Sequence, residues 1–232
     1  MGLIAIFVIF FLASSIIGNR LKKKFREYSR IPVTSGMSGK EVAEKMLNDY
    51  GIYNVNVTSV KGELTDHYNP VKKMVNLSHD VYHGRNVSAA SVAAHECGHA
   101  VQHAQAYFWL QFRSTLVPIQ NVSARIINII FVAMFLGAFI LPSFISLQSA
   151  LLIIIACYSV FTLFAFVTLP VELDASRRAL AWLQSTGVTT GSTQEKAKDG
   201  LKWAAYTYLV AALASLATLL YYILLFVGMS DD

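Results

Sequence analysis

Four stretches of the chain run almost free of charge for the about 17 to 25 residues that a membrane-crossing helix needs: 2–18, 126–145, 149–171 and 204–229. Between them lie a polar segment at 19–125 and a shorter one at 172–203. The pattern predicts a mostly α membrane protein with about four transmembrane helices, and leaves any water-facing domain small. Within the first polar segment, Ser38 and Glu41 have the spacing of a capping box, and Val42, Met46 and Leu47 form an apolar stripe that Gly51 can end. A helix over 40–50 follows. Alternation through Tyr53-Asn54-Val55-Asn56-Val57, a turn at Lys61-Gly62 and the apolar positions of 73–77 predict a small strand pair, with Pro70 inside the connection. An Ala-rich run from Ser88 to Ala106, opened by Asn86 or Ser88 as a cap, predicts the second helix. The domain between the first two spans is therefore a small α+β unit.

Composition agrees: 55% of the residues are AVILMFWYC, 14% are charged, and the mean hydropathy is +0.49. Disorder and an ordinary soluble enzyme are excluded. The net charge of +5 invites a nucleic-acid reading, but all 19 Lys and Arg lie in the two polar segments, many beside a span. Arg20, Lys22, Lys23, Lys24 and Arg26 follow the first span, Arg125 precedes the second, Arg177 and Arg178 follow the third, and Lys202 precedes the fourth. This is a topology signal. Both polar segments belong in the cytoplasm and both chain ends outside, with Asp231 and Asp232 at the tail in agreement. Four crossings put the two segments on one side of the membrane, where they can build one site. The aromatic cluster 107–112 suits the lipid interface or packing under the domain. No motif for reading nucleic acid accompanies the charge, so lipid headgroups are the expected partner of the basic residues and no nucleic acid is expected. The first apolar stretch has its basic cluster after it, which reads as an uncleaved anchor. Cys97 and Cys157 are too few for a disulfide scaffold and fit a reducing compartment.

The chemistry gathers in the Ala-rich helix. His95-Glu96-Cys97-Gly98-His99 is an H-E-x-x-H, which puts two imidazoles four residues apart on one helix face, able to hold one Zn²⁺. Glu96, turned about 100° from His95, reaches beside the metal, where a carboxylate can take a proton from water and deliver it to a leaving amine. Two solvated histidines are the bland alternative. A third ligand is needed. His103 continues the spacing, but on a straight helix it stands about 12 Å of rise from His95, so one ion cannot hold both; it is a positioning or transition-state residue, or a plain helical one. Glu172, directly after the third span, is the better candidate, against the alternative that it merely pairs with Arg125, Arg177 or Arg178. Asp174 is the other candidate ligand, but on a helix it points about 200° away from Glu172, so only one of the two faces the metal. His67, Tyr68, His79, Tyr82 and His83 are candidates to stabilise an oxyanion, though each alone is as easily a surface residue. Cys97 faces away from the histidine pair and reads as core, not nucleophile.

The residues 95–103 (His-Glu-Cys-Gly-His-Ala-Val-Gln-His), 65–70 (Thr-Asp-His-Tyr-Asn-Pro), 76–78 with 81–84, and 169–178 (Leu-Pro-Val-Glu-Leu-Asp-Ala-Ser-Arg-Arg) together resemble the YugP-type membrane zinc metallopeptidases of bacteria. The resemblance covers nearly the whole chain, spans included. It implies a zincin-like domain and an endopeptidase related to the HtpX-type membrane gluzincins, with one Zn²⁺ held by His95, His99 and Glu172 and with Glu96 as catalytic acid/base. Gluzincins often carry an Asp four residues after the ligand Glu to orient a histidine; Ser176 stands there in this chain.

The expected function is hydrolysis of peptide bonds in membrane or juxtamembrane protein substrates at the cytoplasmic face of the bacterial plasma membrane. The strand at 74–77 is expected to receive substrate by strand addition. An intramembrane site is disfavoured because Gln102, His103 and Gln105 make the helix too polar to cross lipid. A catalytically silent zinc-binding scaffold is the rival from another class; Glu96 argues against it, since a structural site has no use for that carboxylate.

Overall fold

The computed structural model describes residues 2–140 and 146–229. Residues 141–145, which end the second predicted span, and the acidic tail Asp231-Asp232 lie outside them. The order of elements is α1 (Gly2–Tyr28), α2 (Gly39–Asp49), β1 (Asn56–Val60), β2 (His67–Asn69), β3 (Met74–Ser78), α3 (His79–His83), α4 (Val87–Ala104), α5 (Phe108–Ile140), α6 (Leu147–Ser185) and α7 (Gly191–Gly228). Helices α1, α5, α6 and α7 are each long and apolar enough to cross a membrane. The protein is a mostly α membrane protein with a small α+β region between the first two of these helices. Each of the four runs beyond the charge-free stretch in its sequence. α5 already begins at Phe108, so the aromatic cluster is part of a long helix and not a separate interfacial segment.

The chain divides into two compact units. One comprises residues 1–15, 112–168 and 208–232. Its interior holds Ile127 and Ile130 of α5, Leu151, Ile154 and Cys157 of α6 and Tyr222 of α7, while Ile4, Phe7, Phe11, Leu152 and Leu224 are exposed. Apolar side chains on the outside are what lipid solvates.

The other unit comprises residues 16–111 and 169–207 and contains the site. Local signals set its elements. Ser38 Oγ accepts the Glu41 amide and the Glu41 carboxylate accepts the Ser38 amide, closing the capping box of α2. Gly51, at φ +70°, ends that helix in a conformation glycine adopts without strain. Asn86 caps α4 through its side-chain oxygen, 2.9 Å from the Ala89 amide. Val42, Met46 and Leu47 of α2, Val75 and Leu77 of β3, Ala90, Ala94 and Val101 of α4, and Ala179 and Leu183 of α6 share one core.

The sheet corrects the sequence reading. It has three strands in the order β1-β3-β2, with β3 parallel to β1 and antiparallel to β2. β3 is thus the central strand, its backbone paired on both sides, and offers no edge to an incoming substrate. β2, which the polar residues His67 to Asn69 concealed, is an edge.

Candidate metal centre

α4 presents His95 and His99 one turn apart on the face turned toward α6, and α6 returns Glu172. One ligand atom from each lies within 4.8 Å of the others. Glu172 Oε2 stands 3.3 Å from His95 Nε2 and 3.5 Å from His99 Nε2, with the carboxylate side chain only 4% exposed. Ligands bonded at about 2.0 to 2.1 Å in a tetrahedron are about 3.3 Å apart, so the donor set fits zinc in spacing as well as in chemistry. Each imidazole keeps its other nitrogen on a partner: His95 Nδ1 faces Ser176 Oγ at 3.1 Å, and His99 Nδ1 faces Gln102 Oε1 at 3.1 Å. That outer support is what a metal-binding histidine needs to hold its ring in place. Burial is the largest influence on His99 and opposes its charge, but Glu172, Glu96 and Gln102 together raise the imidazole above its ordinary pKa.

Gly98 makes this approach possible. A Cβ there would lie 2.6 Å from the carbonyl oxygen of Ala175, so only glycine lets the α6 backbone come this close to α4. One helical turn of α6 then meets α4 with Val171, Glu172, Asp174, Ala175 and Ser176 all buried, while Leu173 is 55% exposed.

Glu96, the residue after His95 on α4, accepts the Tyr68 amide at its Oε2, 2.9 Å away. Tyr68 belongs to β2, so the Glu96 carboxylate of α4 sits against that strand.

The family model described as "Putative neutral zinc metallopeptidase" matches residues 3–227. The chain belongs to this metallopeptidase family. It is 37% identical over 213 residues to "Putative membrane protease YugP" of Bacillus subtilis (strain 168), covering 92% of this chain and 91% of that protein. No solved structure matches the chain. The family expected from the motifs is thereby shown, and membership of a zinc metallopeptidase family makes zinc the metal to expect between His95, His99 and Glu172.

The other candidate residues of this family member take different positions. Asp174 lies outside the cluster of the two histidines and Glu172: its carboxylate accepts from Arg177, Arg178 and the Gln102 amide, so these two arginines, named as alternative partners of Glu172, bond Asp174. His103 lies outside the ligand cluster, its Nδ1 2.9 Å from the Tyr68 hydroxyl. His67 bonds the Thr65 carbonyl and Asn76, and His79, Tyr82 and His83 stack on one another along α3. Cys97 is fully buried against α2, and burial drives its thiol pKa well up, as an inert core thiol requires. Sequence reasoning missed the part of Gln102, although its i+3 spacing from His99 was the available signal.

Proposed function

We propose that the protein is a membrane-anchored zinc endopeptidase in which His95, His99 and Glu172 hold one Zn²⁺ and Glu96 is the general base and acid. The observation that carries this is the convergence of the three donors, from two helices, within 4.8 Å of one another, with Glu172 at 3.3 and 3.5 Å from the two imidazoles. When bound, zinc supplies Lewis-acid chemistry, acidifying a water and polarising a scissile carbonyl. Glu96 takes the proton of the attacking water and returns it to the leaving amine. The Tyr68 amide fixes one oxygen of that carboxylate, leaving the other for the proton. The Tyr68 hydroxyl, paired with His103, donates to the oxyanion as it develops, a contribution of about 2.7 to 4 kcal/mol for one such donor. Extended peptide is the substrate class, taken up beside Glu96 and the Tyr68 hydroxyl.

The segments 19–125 and 172–203 form the catalytic domain on the cytoplasmic side, both chain ends lie outside, and the substrates are membrane or juxtamembrane proteins. The basic flanks of the spans support this orientation. The test is zinc content and cleavage of a membrane-tethered, unfolded substrate by purified wild type, Glu96→Gln and Glu172→Ala. Wild type should carry one zinc and cleave, Glu96→Gln should keep zinc and be inert, and Glu172→Ala should lose zinc. Zinc in all three with cleavage by none would establish a silent scaffold instead.

A further inference from the structure

Gln102 is fully buried, so every hydrogen-bonding group of its amide has to be satisfied by protein. Three groups surround it: the Val171 carbonyl oxygen at 2.8 Å, Asp174 Oδ2 at 2.9 Å and His99 Nδ1 at 3.1 Å. A backbone carbonyl and a carboxylate bound by Arg177 and Arg178 only accept, so the amide nitrogen must face these two and both its hydrogens are spent. The amide oxygen is what remains for His99. It too only accepts, so His99 Nδ1 must carry a proton, which leaves Nε2, the atom 3.5 Å from Glu172, as the ring's ligand atom.

We infer that Gln102 is a positioning residue that fixes the tautomer and ring orientation of His99, and that Val171 and Asp174 of α6 hold Gln102 in turn. This deepens the zinc reading above and rests on it. His95 is supported differently. Its neighbour Ser176 is a hydroxyl, which can donate or accept and therefore imposes no tautomer. The relay also joins the two sources of ligands: the turn of α6 that presents Glu172 is the turn that sets the Gln102 amide, so the third ligand and the second are aligned by one contact. The buried amide has a purely structural competitor role, tying α4 to α6, and the experiment must separate the two.

Full-length protein in detergent is titrated with zinc against a chelating dye, and the zinc-free histidine tautomers are read by ¹⁵N NMR. Wild-type His99 should carry its proton on Nδ1. Gln102→Leu should bind zinc about 10- to 100-fold more weakly, the usual cost of losing an outer partner of a metal-binding histidine. Gln102→Glu should be as poor, because a carboxylate there confronts Asp174. Gln102→Glu combined with Asp174→Asn restores a donor facing an acceptor and still offers His99 an acceptor, so it should recover zinc affinity relative to Gln102→Glu alone. A lowered melting temperature in Gln102→Leu with unchanged zinc affinity would reduce Gln102 to a structural tie and overturn the inference. So would a wild-type His99 with no proton on Nδ1, a result that needs no variant to fold. Failure of wild type to bind zinc would instead remove the metal reading, while the tautomer would still report on the relay.

Discussion

Replacing Gly98 by alanine tests whether the close approach of α6 to α4 builds the metal centre. The new Cβ would lie 2.6 Å from the Ala175 oxygen and 3.1 Å from its carbonyl carbon and Cα, where ordinary contact begins at 3.4 Å. Backbone cannot swing aside as a side-chain tip does, so α6 must withdraw by about 0.8 Å at Ala175. Glu172 stands one helical turn earlier and moves with it. Metal sites tolerate about 0.2 Å in a ligand distance, so the shift is roughly four times what the coordination can absorb. Overpacking of this kind costs about 1 to 3 kcal/mol, offset by about 1 kcal/mol because alanine is the better helix former. Net destabilisation should therefore be small, about 0 to 2 kcal/mol, while zinc affinity falls at least tenfold. Chelator competition and thermal unfolding of the detergent-solubilised protein read the two separately. Gly200→Ala is the matched control: on α7 its Cβ would meet the Phe25 ring at 3.5 Å and the Tyr28 ring at 3.7 Å, both ordinary contacts, and the substitution should stabilise by about 0.5 to 1 kcal/mol. Gly98→Ala with wild-type zinc affinity and a raised melting temperature would refute the reasoning, because propensity alone would then be acting.

Three further outcomes follow from particular contacts. The Arg85 guanidinium, with the Ser38 amide, holds the Glu41 carboxyl down at about 2 against its ordinary 4.5; the pair therefore stabilises fully above 4.5 and loses its contribution as pH falls toward 2. Glu41→Gln should flatten that part of the melting-temperature profile, and an unchanged acid limb would show the pair to be idle. Tyr68→Phe should lower kcat about 10²- to 10³-fold at unchanged zinc content; full activity would dismiss its hydroxyl as an oxyanion donor. For the orientation, single cysteines at the exposed Val71 and Ser192, in a Cys97→Ala/Cys157→Ala background, should react with an impermeant maleimide only after the membrane is opened. Labelling of either in intact cells contradicts a shared cytoplasmic side.

The parts legible in the sequence are those written within a few residues of one another. The capping box at Ser38 and Glu41, the Asn86 cap and the i, i+4 histidines depend only on local geometry, and a reader can check each by counting. That only one of Glu172 and Asp174 lies against the histidines was equally legible, because a helix turns by about 100° per residue, but that Asp174 also meets α4, through Gln102, was not. β2 was not: three polar residues before Pro70 carry no strand pattern, and they become a strand only by pairing with β3. The same omission made β3 look like a free strand able to take substrate. Gln102 was hidden for a related reason, since the groups that fix its amide lie 69 and 72 residues away.

What the distance in sequence conceals, one turn of α6 supplies. Val171 gives its carbonyl and Asp174 its carboxylate to Gln102, Glu172 faces both histidines, Ala175 lies on Gly98, and Ser176 faces His95. Five of these six consecutive residues thus serve α4, the gap being Leu173, the only one of them that is exposed. Packing, ligand supply and support of both imidazoles are therefore one contact seen from different atoms. Ser176 illustrates the economy: a hydroxyl at this position still reaches His95 Nδ1 because Gly98 has brought the backbone carrying it close enough, and an aspartate, longer by one atom, is not required. The identity of a supporting residue and the distance between the helices that it must bridge are accordingly not independent, and a wider α4–α6 separation would demand the longer side chain.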